Sequence, residues 1–320
     1  MKLRLYNPEV FQGNIKSLNY FEGWYFKNVS AGLDNVLSFI PGISLAKGDR
    51  HAFIQVIDGI TCKSEYVTYP LDQFSWDRKK FSIRVGESIF TENHIKLNID
   101  DDKIKVSGQL YFDNLIKYPK TLLSPGIMGW YSFVPFMECK HGIVSVNHNI
   151  TGRINVDHEQ IDFNGGKGYI EKDWGTSFPE AWIWCQANNF RDRNTSLCFS
   201  IAKIPWLGKF FTGLISFLYH NNKFYLYSTY NKSEVSDVEH SEGFVRLTLK
   251  NRDSVLKITT KQKSAGELKA PVLGNMTRKI KESIDSEVSI ELYDKSDKLI
   301  YTDYSRRAGL EIIEKIFDYM

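Results

Sequence analysis

The chain has 320 residues, of which 42% are hydrophobic and 25% charged, a composition typical of a globular protein and not of a disordered one. Its net charge of +3 is nearly balanced for this length. The chain therefore lacks the basic field that nucleic-acid phosphates require, and we expect no nucleic-acid partner. Aromatic residues make up 14% of the chain, a high share that any functional interpretation has to explain.

Short runs of alternating apolar and polar residues fill the first half of the chain. Alternation with a period of two is typical of half-buried antiparallel strands. The turns between the runs carry the expected residues, with Asp-Gly at 58–59, an acidic run at 100–102 and Gly-Gly at 165–166. The predicted strands, in chain order, are residues 20–26, 53–57, 81–85, 95–99 and 103–112.

The second half continues this pattern and ends on a different one. Its predicted strands are residues 197–201, 223–228, 244–249, 255–260 and 288–293. Only residues 307–317 carry apolar side chains at helical spacing, with Leu310, Ile313 and Phe317 on one face. We therefore predict one C-terminal helix.

Many short strands with few helices indicate an all-β sandwich or an up-and-down barrel. The chain is longer than a usual single domain of roughly 100–200 residues, so two β-domains or one large one are the choices. We place a boundary at the Gly-Gly turn, which divides the chain into residues 1–165 and 166–320. Segments 20–26 and 181–190 are weak echoes of one another, and both a duplicated domain and chance aromatic clustering stay open.

The start of the chain, its motifs and its cysteine spacing predict a cytoplasmic protein without a metal or a cofactor. The start of the chain lacks the apolar run of a signal peptide, and the most apolar stretch, residues 210–219, is half the roughly 20 residues of a membrane-spanning helix. Signatures of esterases, zinc proteases and phosphate-binding loops are missing. His141 and His148 are candidate ligands or bases, although such histidines are more often ordinary core or surface residues. Four cysteines without zinc-ligand spacing are predicted to be free thiols: Cys62, Cys139, Cys185 and Cys198.

The segment 181–190 is a candidate binding wall. In a strand, alternation places four of its side chains on one face: Trp182, Trp184, Gln186 and Asn188. The residues between them are small or apolar and suit packing against a core. Two indoles beside amides are typical of a pocket with a few convergent polar groups. A large core filled by both tryptophans is the competing interpretation.

Glu22 is a candidate acid because alternation places it among aromatic residues. It shares a strand face with Tyr20, Trp24 and Phe26. A carboxylate there would be costly as a charge, so burial would favour the protonated acid, which can donate a proton at neutral pH. A structural glutamate held by an arginine or by backbone amides is the alternative.

A second group of candidate acids lies in segment 168–175. If the segment is extended, Tyr169, Glu171 and Asp173 share a face. Two carboxylates this close favour one proton donor and one anion. A turn rich in ion pairs at the end of a strand is the alternative.

Several of these segments together resemble the tocopherol cyclase family. The matching strings are Y-F-E-G-W-Y-F at 20–26, Y-I-E-K-D-W-G-T-S-F-P-E-A-W-I-W-C-Q-A-N-N-F at 169–190 and L-K-A-P at 268–271, and matches keep the family's order from residue 20 to about 305. The resemblance implies two lipocalin-like antiparallel β-barrel or sandwich domains, the second with the terminal helix. It also implies a hydrophobic prenylated or isoprenoid ligand in an aromatic-lined pocket.

The family's enzymes close the chromanol ring of vitamin E from a prenylated benzoquinol. The resemblance implies an intramolecular lyase or isomerase in which a carboxylic acid protonates a prenyl double bond, with hydration as a related outcome. The catalytic candidates are Glu22, Glu171 and Asp173, although the plastid enzymes carry Asn at the position of Asp173, so the resemblance implies no role for it. The substrate-binding candidates are Trp24, Tyr25, Tyr169, Trp174, Trp182, Trp184, Gln186 and Asn188.

A second function is compatible with the same residues. A lipocalin-type carrier or sensor would bind a lipid or quinone in the pocket without reacting with it. The two functions differ in whether a carboxylic acid lies within hydrogen-bond reach of the double bond. The partners expected in either case are a hydrophobic small molecule and, transiently, a membrane surface, and the oligomeric state stays open.

Overall fold

The computed structural model describes residues 2–135, 137–206 and 208–320, and these are almost entirely β-structure. Strands account for 64% of the chain, against about 20–25% in an average globular protein. Each strand predicted from alternation overlaps an observed strand. The predicted all-β class is therefore confirmed.

The first half begins with a four-residue helix, α1 (Lys2–Leu5), and then contains twelve strands. Two 3-10 helices interrupt them, Leu71–Gln73 and Gly129–Phe133. The strands are β1 (Phe21–Val29), β2 (Val36–Ala46), β3 (Asp49–Asp58), β4 (Ser64–Pro70), β5 (Phe74–Trp76), β6 (Ser82–Val85), β7 (Ser88–Thr91), β8 (His94–Asp100), β9 (Lys105–Ile116), β10 (Cys139–Val156), β11 (Glu159–Asp162) and β12 (Gly166–Gly175).

The second half contains ten strands and two further 3-10 helices, Thr229–Asn231 and Glu314–Tyr319. The strands are β13 (Trp182–Ala187), β14 (Ser196–Trp206), β15 (Lys209–His220), β16 (Lys223–Ser228), β17 (Glu234–Ser241), β18 (Phe244–Lys250), β19 (Ser254–Lys261), β20 (Gly266–Val272), β21 (Asn275–Asp294) and β22 (Leu299–Ile312).

The strands form two antiparallel sheets whose orders follow the same plan. The first sheet runs β4-β3-β2-β1-β12-β10-β9-β8-β7-β6-β5, with β11 on β10. The second runs β16-β15-β14-β13-β22-β21-β19-β18-β17, with β20 on β21. In each sheet, the four strands that come first in the chain lie side by side in reverse order, and the strand that comes last in the chain pairs with the first of them. The echo noted between segments 20–26 and 181–190 falls on β1 and β13, which hold equivalent places, and this favours a duplicated domain. Both paths are open among the described residues, since no pairing joins β4 to β5 or β16 to β17.

Two compact units make up the chain, and their boundary differs from the one predicted at residues 165–166. The first unit comprises Met1–Phe178 and Glu267–Lys279, and the second comprises Pro179–Gly266 and Ile280–Met320. The Gly-Gly turn lies inside the first unit, because β12, which follows it, pairs with β1 and β10. A glycine turn marks a change of chain direction and not the end of a core.

The C-terminal helix predicted over 307–317 is not formed. Most of this segment belongs to β22, in which Leu310 pairs with Cys185 of β13. Ala308 and Leu310 point into the core of the second unit, so a period of two decides the structure and the helical spacing is incidental. The 3-10 helix Glu314–Tyr319 follows the strand, with Ile316 buried.

Each unit has its own apolar core. In the first, the core contains Trp24, Phe26 and Ile170 from the central strands β1 and β12. In the second, it contains Ile183 and Leu310 from β13 and β22. Among the described residues, no helix is long and apolar enough to cross a membrane. All four cysteines are free thiols, as predicted.

Candidate functional site

Strand β12 carries candidate residues on both of its faces. It lies between β1 and β10 in the first sheet. Tyr169, Glu171 and Asp173 share one face, as predicted from alternation. Ile170 and Lys172 alternate with them, and Ile170 packs in the core of the unit. The strand therefore separates the candidate residues into a core face and an opposite face.

Glu22 lies on the core face, fully buried and surrounded by donors. One carboxylate oxygen accepts the backbone N–H of Gln12 at 2.8 Å. The other accepts the N–H of Gly13 at 2.9 Å and the hydroxyl of Tyr20 at 2.5 Å. The ammonium of Lys172 completes the set as an ion pair. Four donors hold this one carboxylate in place, so these contacts favour the structural alternative for Glu22.

Lys172 ties the N-terminal segment to the sheet. Its buried Nζ donates hydrogen bonds to the carbonyl oxygens of Pro8 at 2.8 Å and Val10 at 2.5 Å. The ammonium also lies 4.5 Å from the centre of the Trp24 ring and 5.0 Å from that of Trp174. Burial lowers the pKa of Lys172 to about 8, although attraction to the neighbouring carboxylate opposes the shift. We call Glu22, Lys172 and these partners the core-face cluster.

The opposite face of β12 carries a chain of polar side chains. Tyr169 donates its hydroxyl proton to Glu171 Oε2 at 2.6 Å. His141 lies between two carboxylates, with Nε2 3.5 Å from Glu171 Oε2 and Nδ1 2.9 Å from Asp173 Oδ1. We call these four residues the Glu171 chain.

Strand pairing brings the Glu171 chain together. His141 of β10 is the direct cross-strand partner of Asp173 of β12. Neighbours on one face of adjacent strands are close enough to touch, and the next residue along that face is Glu171. The side chain of Glu171 is 6% exposed and that of Asp173 is 24% exposed, so the Glu171 chain runs from the interior towards solvent.

The thiol of Cys139 approaches the outer end of the Glu171 chain. Its Sγ lies 3.8 Å from Asp173 Oδ1. Burial raises the pKa of Cys139, and the charge of Asp173 raises it further. The thiol is therefore neutral at physiological pH and is not a nucleophile in this position.

The aromatic candidates of the first unit are divided between the two faces. Trp24 is fully buried in the core, where its indole N–H donates to the carbonyl of Glu9 at 2.7 Å. Trp174 lies beside Lys172 on the same side. Tyr25 is the cross-strand partner of Glu171 and lies on the opposite face. Of the predicted binding residues in this unit, Tyr169 belongs to the Glu171 chain and Tyr25 lies beside it.

In the second unit, the predicted binding wall faces away from the apolar core. The core contains Ile183 and Cys185 of β13, which alternate with Trp182, Trp184 and Gln186. All three of these side chains are buried. The alternation was therefore predicted correctly, and the internal cavity expected beside these residues stays a prediction. Asn188 lies just beyond the end of the strand and is also buried.

A carboxylate pair that the sequence did not indicate adjoins this wall. Glu311 of β22 accepts the indole N–H of Trp182 at 2.5 Å. Glu282 of β21 is the direct cross-strand partner of Glu311. Both residues are buried, with Glu282 1% exposed and Glu311 8% exposed. No local pattern could have paired them, because a turn and 28 residues separate them in the chain.

His141 is a functional candidate that sequence reasoning ranked below an ordinary core or surface histidine. The sequence shows an isolated histidine 32 residues from Asp173. Only the pairing of β10 with β12 places its ring between the two carboxylates. A neutral imidazole has one donor and one acceptor nitrogen, so it can pass a proton from one carboxylate to the other.

Comparison with known proteins gives consistent results. A family model described as tocopherol cyclase-like matches residues 115–313. The probable chloroplastic tocopherol cyclase of Oryza sativa subsp. japonica is 25% identical over 195 residues, and the chloroplastic tocopherol cyclase of Zea mays is 23% identical over 195. Each alignment covers 58% of this chain and 41% of the plant protein, so the chain matches less than half of these relatives' length.

The fold also matches a solved structure. The crystal structure of CghA aligns with a TM-score of 0.59 over 92% of this chain and 88% of CghA, at 9% sequence identity. At that identity the likeness establishes a shared fold. The resemblance carried by the sequence motifs is thereby supported by the family model, and the structural likeness concerns the fold alone.

Proposed function

The chain belongs to the tocopherol cyclase-like family, and on that basis we propose that it binds a hydrophobic prenylated or isoprenoid molecule and catalyses acid-initiated cyclisation or hydration of a prenyl double bond. Glu171 is the proton donor in this proposal. Glu22 and Lys172 hold the N-terminal segment against the sheet.

The Glu171 chain is the observation that carries the proposal. A catalytic acid needs a proton that can be delivered and then replaced. The ring of His141 lies between Glu171 and Asp173, with Nδ1 2.9 Å from Asp173 Oδ1 and Nε2 in a longer contact of 3.5 Å with Glu171 Oε2, and Asp173 is the most exposed of the three. The carboxylate of Glu22, by contrast, is occupied by two backbone amides, a phenol and an ammonium.

The reaction is redox-neutral and needs no further reagent. The proton of the Glu171 carboxyl adds to the less substituted carbon of the double bond, the π electrons form the new C–H bond, and a tertiary cation remains. The oxygen of a ring hydroxyl, or of water, then forms a C–O bond with that cation. The proton released from this oxygen returns to the carboxylate, directly or through His141 and Asp173. Ring closure leaves the composition unchanged, and hydration adds one water.

Aromatic faces would stabilise the cation. The rings of Tyr25 and Tyr169 lie on the same face as Glu171. A cation–π contact contributes about 0.5–2 kcal/mol, more when water is excluded. Exclusion of water also decides between the two outcomes, because a dry site favours ring closure and a wet one favours the alcohol.

A carrier without catalysis is the second candidate, and the wall of the second unit favours it. Trp182, Trp184 and Gln186 offer two indoles and one amide on a face that the apolar core does not use. Such a face binds a ring system with one or two polar groups. Binding of this kind requires no proton donor, so loss of Glu171 would leave it intact.

The test compares the parent protein with two variants. Glu171→Gln keeps the size and the hydrogen bonding of the side chain but removes the transferable proton. Glu159→Gln, at an exposed position of β11, is the matched control. Each protein is incubated with a panel of prenylated quinols and linear isoprenoids, product is followed by chromatography, and binding is followed by quenching of tryptophan fluorescence.

We expect turnover to fall roughly 100-fold or more in Glu171→Gln, with binding within a few-fold and the control unchanged. Undiminished product from Glu171→Gln would refute the choice of acid. Binding without product from the parent, across the whole panel, would establish the carrier.

A further inference from the structure

The loop between β9 and β10 exposes large apolar side chains. Leu122 and Leu123 are 80% and 75% exposed, and Trp130 and Phe133 are each 48% exposed. Isolated exposed apolar residues are normal on a protein surface, whereas several in one loop mark an interaction site. We call residues 121–134 the aromatic loop.

Hydrogen bonds hold the aromatic loop in place. The carbonyl of Leu122 accepts the hydroxyl proton of Tyr6 at 2.6 Å, and Lys120 Nζ donates to the carbonyl of Tyr6 at 2.7 Å. Thr121 and Ser124 exchange backbone hydrogen bonds in a tight turn. The exposed side chains are therefore presented by a fixed backbone.

The interior side of the aromatic loop is already filled. Ile127 is 1% exposed and Met128 is 9% exposed, and they anchor the loop to the first unit. The ring of Trp130 stacks on that of Tyr131 at 4.2 Å between centroids. Because the inward positions are occupied by other residues, the outward leucines and aromatic rings do not complete the core of this unit.

The charged residues in the segment that carries the aromatic loop are both positive, and their ion-pair partners, Glu92 and Glu9, come from other parts of the chain. Between Asp113 and Glu138 the sequence contains no acidic residue, and its charged residues are Lys117 and Lys120. Protein–protein interfaces are depleted in lysine, whereas segments that lie in the surface of a membrane combine Trp, Phe and Leu with Lys and Arg. Tryptophan and tyrosine in particular suit the boundary between headgroups and acyl chains.

We propose that the aromatic loop is a membrane-docking surface, in which Leu122, Leu123, Trp130 and Phe133 enter the interfacial region of a lipid bilayer. The flanking lysines contribute a smaller attraction to anionic headgroups, because Lys117 is paired with Glu92 and Lys120 Nζ lies 3.9 Å from Glu9. Binding is therefore driven mainly by apolar burial. The inference does not depend on the chemistry of Glu171.

The experiment measures vesicle binding without any substrate. The parent is mixed with phosphatidylcholine vesicles, with and without phosphatidylglycerol, and the bound fraction is measured by flotation. The test variant is Leu122→Ser/Trp130→Ser. The matched control is Leu18→Ser, which removes an equally apolar side chain that is 64% exposed and lies outside the loop. Circular dichroism and thermal unfolding verify that all three proteins are folded.

We expect the parent to bind both vesicle types, with a modest gain from the anionic lipid. The double variant should lose roughly tenfold or more of the partition coefficient, and the control should stay within about twofold. Failure of the parent to bind, or equal binding by the double variant, would overturn the proposal. If sedimentation showed instead that the parent self-associates through the loop and does not bind vesicles, the surface would be a protein interface.

Discussion

The two faces of β12 bury ionisable side chains in two different ways. On the core face, Glu22 and Lys172 are completely enclosed, and each is surrounded by fixed partners. On the opposite face, His141 lies between Glu171, at 3.5 Å, and Asp173, at 2.9 Å, and Asp173 reaches solvent. One residue along the strand separates these environments.

This difference shows that burial alone does not reveal the role of a carboxylate, because the role depends on its partners. A buried carboxylate that is saturated with donors is held as an anion and stabilises the structure around it. A buried carboxylate that is connected to solvent through a histidine can exchange its proton. Glu171 lies within the region matched by the family model and Glu22 lies outside it, and their surroundings suggest different roles. The predictions below separate the two faces experimentally.

The largest effect is expected from breaking the core-face cluster. Lys172→Met leaves the carboxylate of Glu22 buried without its counter-charge, so the free energy of unfolding should fall by about 3–5 kcal/mol. In Glu22→Gln/Lys172→Met the remaining groups are neutral, and more than half of that loss should be recovered. Urea denaturation of the single and double variants measures both.

Glu171→Gln is the comparison for the stability measurements. Its free energy of unfolding should change by only about 1 kcal/mol, because the amide still accepts the hydrogen bond of Tyr169. If this variant lost as much stability as Lys172→Met, the two faces of β12 would not differ in the manner described.

An intermediate effect is expected from His148, a second buried histidine of β10. It is 1% exposed, and its Nδ1 lies 2.9 Å from the hydroxyl of Ser145. Burial, together with the charges of Lys117 and Lys167, lowers the pKa of His148 from 6.5 to about 3. The imidazole is therefore neutral in the folded protein.

The unfolded chain binds a proton at His148 below pH 6.5, whereas the folded protein does so only near pH 3. Stability therefore falls as pH drops through this window, by about 2 kcal/mol between pH 6.5 and 4.5 from this residue. His148→Gln should show a shallower loss over the same range. Parallel pH profiles of unfolding in the parent and the variant would contradict this assignment.

The smallest effect is expected from His141, which acts through Glu171. His141→Gln should lower the turnover number about tenfold, with little change in substrate binding, because protons reach Glu171 more slowly. Added imidazole should restore part of the rate of the variant. A purely structural role would raise KM or lower stability, and imidazole would not restore the rate.

The sequence by itself determined much of the fold and some of the site. Alternation predicted the strands, the shared face of Tyr169, Glu171 and Asp173, and the face of β13 that carries Trp182. These are properties of single strands, since the direction of a side chain depends only on its position along an extended backbone. The motifs were sufficient to indicate the family for the same reason, because each motif lies within one continuous segment.

The tertiary structure decided which strands are neighbours, and hence which candidates can act together. It paired β10 with β12 and placed His141 between two carboxylates, and it enclosed Glu22 with Lys172 and the N-terminal segment. It also made a strand of residues predicted as a helix, because Ala308 and Leu310 pack on β13 and β21. Contacts of this kind join residues far apart in the chain, and the free energy that selects them comes from packing across the sheet, which no local pattern contains.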